Sequence, residues 1–237
     1  MANKINKNGV ILWEGASAID GAPIVVILTG LKNKSGNGKT GAMLQTWILR
    51  QDQHPGDARR SGADASICGD CPHRPANQGT CYVQMRAPAA IWKCYQRGGY
   101  RKLADVAELT GAIIRFGSYG DPAAAPFWLW QGLQQVAAGH TGYTHQWRQP
   151  WAAVFRGMLQ ASCDGMADYL EATAHGWSTF LVVAKGSARV AGTVHCAASA
   201  ERGQKTTCQT CRLCDGGSAN VVIWAHGATG GRVKATV

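Results

Sequence analysis

No apolar run in this chain approaches the ~20 residues needed to cross a bilayer, so no membrane-spanning helix and no membrane partner are expected. The opening stretch, MANKINKNGVILWEG, carries too short an apolar segment for a secretory leader. The chain is therefore expected to stay in the cytoplasm, where thiols remain reduced. It has no internal repeat and no low-complexity linker, which argues against a solenoid and for a single domain over residues 1–237. Acid is scarce as well: 14 Asp and Glu stand against 24 Lys and Arg, a formal net charge of +10. The excess is concentrated in residues 1–102, which hold 14 basic and 6 acidic side chains. Such a balance points to a polyanionic partner, DNA or another nucleic acid, because Lys and Arg neutralise phosphates. A hydrophobic fraction of 46% excludes a disordered chain.

What is present in unusual supply is cysteine, nine in all. In a reducing compartment cysteines read first as metal ligands. The segment HCAASAERGQKTTCQTCRLCDGG places Cys208, Cys211 and Cys214 at Cys-x2-Cys-x2-Cys spacing, with Cys196 upstream as a fourth thiolate. Four thiolates suit tetrahedral zinc and equally a 4Fe–4S cluster. His195 is an alternative ligand. The surrounding residues are polar (Glu201, Arg202, Gln204, Lys205), so core packing does not account for these thiols. A second group, SICGDCPHRPANQGTCY, holds Cys68, Cys71 and Cys81, with His73 or Cys94 to complete a set. The two cysteine-rich segments, 66–95 and 195–215, either form separate sites or share one centre.

Hydrophobic periodicity predicts an α/β chain. Residues 23–30, 111–117, 141–147, 161–164, 178–184 and 219–225 read as strands, and 127–138, 150–160 and 166–175 as helices. The alternation implies parallel strands with helical crossovers. A small or incomplete (β/α) barrel of the TIM type, with cysteine-rich insertions, fits the length. In such a barrel chemistry gathers at the carboxyl ends of the strands. Those ends carry Arg115, Ser118 and Asp121 (RFGSYGDP), Tyr143 and His145 (GYTHQW), and Ser162 with Asp164 (SCDG). Two carboxylates there divide naturally into nucleophile and general acid/base. Upstream, a strand followed by Gly38-Lys39-Thr40 resembles a phosphate-binding loop, though Asn33 stands where the first glycine of that pattern belongs. Lys39 and Thr40 are accordingly expected to touch substrate phosphates.

Taken together, SICGDCPHR…CY, RFGSYGDP, GYTHQW, SCDG and CQTCRLC resemble a group of phage-encoded small TIM-barrel proteins with cysteine clusters, over residues 25–215. Some of that group are distantly similar to queuine-type guanine transglycosylases. The resemblance implies a barrel in the host cytoplasm, a structural zinc and exchange of guanine in DNA for a 7-deazaguanine. It makes Asp121 the acid/base and Asp164 the nucleophile at C1′, with His145 and Arg115 beside them and a free 7-deazapurine base as second substrate. The zinc motif of those enzymes, Cys-x-Cys-x2-Cys with a distant His, differs from the spacing here. Other members are closer to radical-type iron–sulfur barrels, whose Cys-x3-Cys-x2-Cys signature this chain lacks. Three functions thus stand as expectations: a DNA base-exchange enzyme with zinc, an iron–sulfur redox or radical-type enzyme, and a non-catalytic zinc protein that binds nucleic acid.

Overall fold

A computed structural model describes residues 5–34 and 36–226. Its backbone is one ten-stranded sheet. Strands β1 (Gly9–Ala16), β2 (Pro23–Thr29) and β3 (Leu44–Arg50) form an antiparallel meander. The run Ile24–Leu28 is fully buried, as expected of an apolar strand covered on both faces. Three helices follow, α1 (Pro55–Ser61), α2 (Ala65–Cys68) and α3 (Arg86–Gln96), and then the two-residue β4 (Arg101–Lys102) pairs with β1.

The parallel half comprises β5 (Ile113–Tyr119), α4 (Phe127–Val136), β6 (Gly139–Thr144), β7 (Gln160–Cys163), α5 (Met166–Ala174), β8 (Thr179–Val183), β9 (Val194–His195), α6 (Cys208–Cys211) and β10 (Val221–Trp224). Strand order is β4-β1-β2-β3-β5-β6-β7-β8-β10-β9. From β3 to β10 every neighbour is parallel and the order advances in one direction. Right-handed crossovers taken repeatedly in one direction place their connections on one face. That winding is the barrel-like part of the expectation. Closure is not found: β4 and β9 are the two edges of an open sheet. The physical reason lies at both ends. The N-terminal meander extends the sheet sideways from β3, and each edge strand has only two residues, too few to pair around a circle.

Period-two alternation sorts the side chains onto two faces. Phe116 meets Trp130 of α4 at 4.9 Å between ring centres, and Leu181, Val183 and Val222 belong to the same large core. Their neighbours Phe180, Val182, Val221 and Ile223 turn the other way and pack with Cys196, Ala198 and Cys214. The C-terminal cysteine segment thus covers this second face of the sheet, its inner face. Polar contacts seat it there. Gln160 Nε2 donates to the carbonyls of Leu213 (3.2 Å) and Ala219 (2.6 Å), and Gly142 N donates to Cys214 O (3.0 Å).

Three expected elements differ. Residues expected as a helix over 150–160 form a 3₁₀ stretch, Pro150–Phe155, whose Trp151 and Val154 face solvent. The strand expected over 141–147 runs from Gly139 to Thr144, because Gln146–Arg148 turn into a 3₁₀ helix. The Gly-Lys-Thr segment that resembled a phosphate-binding loop leads into strand β3, which pairs with β2 as a hairpin. A phosphate-binding loop of that type requires a helix at that point, so the resemblance to it does not hold.

Gly216 tests the seating of the cysteine segment. Its φ is +92°, and a Cβ there would lie 2.4 Å from the Met158 carbonyl carbon and 2.5 Å from Leu159 N. Gly216→Ala is expected to cost about 2 kcal/mol or more, since strained φ alone costs roughly 1–3 kcal/mol. Thermal unfolding should show a lowered midpoint; an unchanged one would mean that this backbone contact is not formed.

Candidate functional site

Strands β5, β6 and β7 are adjacent and parallel, so the residues just past their carboxyl ends meet. These are Asp121, His145 and Asp164. The N-terminal cysteine loop folds over them. Arg74 braces it, donating to Gly69 O (2.8 Å), Gly62 O (2.7 Å) and Asp64 Oδ1 (2.8 Å). Gln146 Nε2 reaches Cys68 O (3.3 Å) and Asp70 Oδ1 (3.1 Å), and Asp121 N donates to Ile67 O (2.6 Å). The loop thereby delivers His73 to the strand ends.

His73 Nε2 lies 2.8 Å from Asp164 Oδ1, and His145 Nε2 lies 3.3 Å from Asp164 Oδ2. One ligand atom from each of His73, His145 and Asp164 lies within 4.8 Å of the others. On its far side His73 Nδ1 meets Thr80 Oγ1 at 2.6 Å. Cys71 Sγ stands 3.9 Å from His145 Nε2. The three side chains are each about a fifth exposed, 18–20%. Burial opposes ionisation of Asp164, but His145 and His73 outweigh it and hold the carboxyl well below the usual carboxylate range. Burial likewise works against a charged His145, and Cys71 and Asp164 outweigh it, pushing the imidazole well above its ordinary value.

Asp121 plays a different part. It is 8% exposed. Its Oδ1 accepts from Ala123 N (3.0 Å), capping a 3₁₀ turn, and its Oδ2 accepts from His145 N (2.8 Å). Burial raises its carboxyl above the ordinary value, against those hydrogen bonds. Both oxygens serve the backbone, and the second one fixes where His145 begins.

The other residues expected at the mouth lie elsewhere. Arg115 sits near the start of β5, on the inner face, among Tyr82, Tyr143 and Cys208. Its Nε is buried without a hydrogen-bond partner among the described atoms. Ser118 Oγ bonds Gln45 Oε1 across to β3. Ser162 offers its carbonyl to Trp147 Nε1 (3.0 Å). Lys39 and Thr40 use their carbonyls to accept from Cys208 N (2.8 Å) and Gln209 N (3.2 Å). They buttress the C-terminal cysteines, on the inner face of the sheet.

There Cys208 and Cys211 lie on α6, and Arg212, at φ +53°, reverses the chain toward Cys214. Cys196 follows β9, its N–H bonded to Val222 O (2.9 Å). The four thiols are electrostatic neighbours: Cys214 feels Cys196, Cys208 and Cys211, with Tyr143 beside it. Burial pushes the Cys214 and Cys208 thiols up, and Arg115 and Lys39 pull Cys208 back down. Cys68, Cys71 and Cys81 form a second neighbourhood. Cys94 is apart from it, beside Asn6 and Tyr100, which removes it from the expected ligand set. Among the described residues no three cysteine sulfurs come within 4.8 Å of one another.

Sequence reasoning placed His73 among the cysteine ligands and His145 and Asp164 among the catalytic groups. Their union was not foreseen, nor was Thr80. The available signal was CPHRP itself, a histidine in a proline-braced loop beside a thiol.

No protein-family model, curated protein or solved structure matches this chain.

Because Asp164 is depressed in the folded chain, unfolding below the ordinary aspartate value of about 3.9 takes up a proton. Its stabilisation is complete above that value and is lost as pH falls through the folded one. In chelator-treated protein, denaturant titrations across acid pH should show a steep limb that flattens in Asp164→Asn. Equal limbs would mean that the histidines do not pair with an ionised Asp164.

Proposed function

We propose that this chain is an iron–sulfur enzyme of redox or radical type, built on an incomplete TIM-like barrel and acting on a nucleic acid or nucleotide-like substrate at the strand ends. The observation that carries the reading is the gathering of four thiols on the inner face: Cys196, Cys208, Cys211 and Cys214 are mutual neighbours, and four thiolates suit a 4Fe–4S cluster.

The surroundings support the same reading. Nearby charge tunes cluster potentials, and this group has Tyr143 beside Cys214 and Arg115 and Lys39 beside Cys208. Arg115 also neighbours Tyr82, the residue after Cys81. At the strand ends His145 and Asp164 meet. Arg59 and Arg60 line a cleft with Pro75 and Met85 along the N-terminal cysteine loop, which suits a phosphate-bearing substrate.

One observation favours the base-exchange reading instead. Asp121 and Asp164 do stand at nearby strand ends, joined through His145. A transglycosylase exchanging guanine for a 7-deazaguanine in DNA would use them as acid/base and nucleophile, with zinc on the thiolates. Asp121, with both oxygens held by backbone N–H groups, suits that role poorly.

Anaerobically purified protein should be brown, with iron and acid-labile sulfide and broad visible absorption. Cys208→Ser and Cys211→Ser should bleach it. Colourless protein with zinc at the thiolates overturns the iron–sulfur reading. Mass spectrometry of nucleosides from duplex DNA incubated with the enzyme and a 7-deazapurine decides the base-exchange reading: absence of exchange excludes it, and exchange that persists in Asp121→Asn and Asp164→Asn excludes the two aspartates as its acid/base and nucleophile.

A further inference from the structure

We infer that His73, His145 and Asp164 bind one divalent transition-metal ion at the strand ends, in a site distinct from the inner-face thiolates. Two imidazole nitrogens and a carboxylate converge within 4.8 Å. Two imidazoles and a carboxylate are a ligand set for zinc or non-haem iron. The converging atoms belong to three segments: the cysteine loop, the end of β6 and the end of β7.

His73 is held through its second ring nitrogen, as histidine ligands are, and the other two are fixed through their backbone. His73 Nδ1 pairs with Thr80 Oγ1 at 2.6 Å, which leaves Nε2 facing Asp164. The backbone of His145 is fixed by Asp121 Oδ2 at 2.8 Å. The backbone N–H of Asp164 donates to Asp168 Oδ2 at 2.9 Å, and Asp168 in turn takes a hydrogen bond from Arg148 at 2.7 Å. Cys71 approaches His145 at 3.9 Å but is not one of the converging three. Three protein ligands, each about a fifth exposed, leave a coordination position for water or substrate. That is the pattern of a catalytic site and not of a closed structural one.

The inference does not rest on the iron–sulfur reading, and zinc is the probe that separates them. Titration calorimetry of the anaerobically purified full chain with zinc should show one tight equivalent beyond any metal on the thiolates. His73→Gln and Asp164→Asn should each weaken it by about 100-fold or more. Thr80→Val should weaken it by roughly 10–100-fold, the range for second-layer partners. The Cys208→Ser/Cys211→Ser double variant should keep it. Zinc-edge X-ray absorption on that double variant should give nitrogen and oxygen scatterers at about 2.0–2.1 Å.

A sulfur shell at about 2.3 Å in the double variant, or zinc affinity unchanged in both His73→Gln and Asp164→Asn, overturns the site. Should either ligand variant fail to fold, the absorption shell of the double variant and the Thr80→Val titration still decide. Absence of iron and sulfide from the wild type would defeat the iron–sulfur reading alone.

Discussion

A single carboxylate ties this molecule together. Asp164, just past the end of β7, receives His73 from a loop 91 residues earlier and His145 from the end of β6. Without it the cysteine loop would lie over the strand ends with little reason to aim a histidine inward. Burying such a carboxylate is costly unless charge or hydrogen bonds compensate. The two imidazoles supply that compensation in the ion-free chain, and a divalent cation would supply it more strongly.

The sheet divides the labour between its faces. On one side α4 and α5 cover large apolar side chains such as Phe116, Trp130 and Leu181. On the other, a smaller cluster of Val221, Ile223, Phe180 and Val182 lies beneath the C-terminal cysteines. Arg115 belongs to this second face. A guanidinium in such surroundings stays charged and opposes the rise that burial imposes on the Cys208 thiol. The hairpin between β2 and β3 adds Lys39 to the same neighbourhood. The basic loop that resembled a nucleotide cradle thus acts on sulfur.

The sequence disclosed what depends on local pattern. Apolar runs at 23–30, 111–117, 178–184 and 219–225 lie where β2, β5, β8 and β10 form, and the helices begun at Phe127 and Met166 follow their 3.6-residue period. Strands β1 and β3 escaped notice: β3, LQTWILR, mixes polar and apolar residues and sits behind a misleading Gly-Lys-Thr. The candidate site was legible by residue type and illegible by partnership. His73, His145 and Asp164 each drew attention singly, but their meeting depends on strand order and on how Arg74 folds a loop, and neither has a sequence signature. Arg115 illustrates the converse. Its place in RFGSYGDP suggested the mouth, whereas strand alternation turns it inward, four residues before β5 ends.

The two-residue edges have a consequence beyond closure. An open sheet ordinarily offers its outermost backbone to any passing chain, and a long flat rim invites stacking into fibres. Here one rim is Arg101 and Lys102, both exposed and cationic, with Arg101 clasping Glu108, and the other is the brief Val194–His195. Brevity at both rims, with charge at one, therefore guards the unsealed sheet against pairing edge to edge.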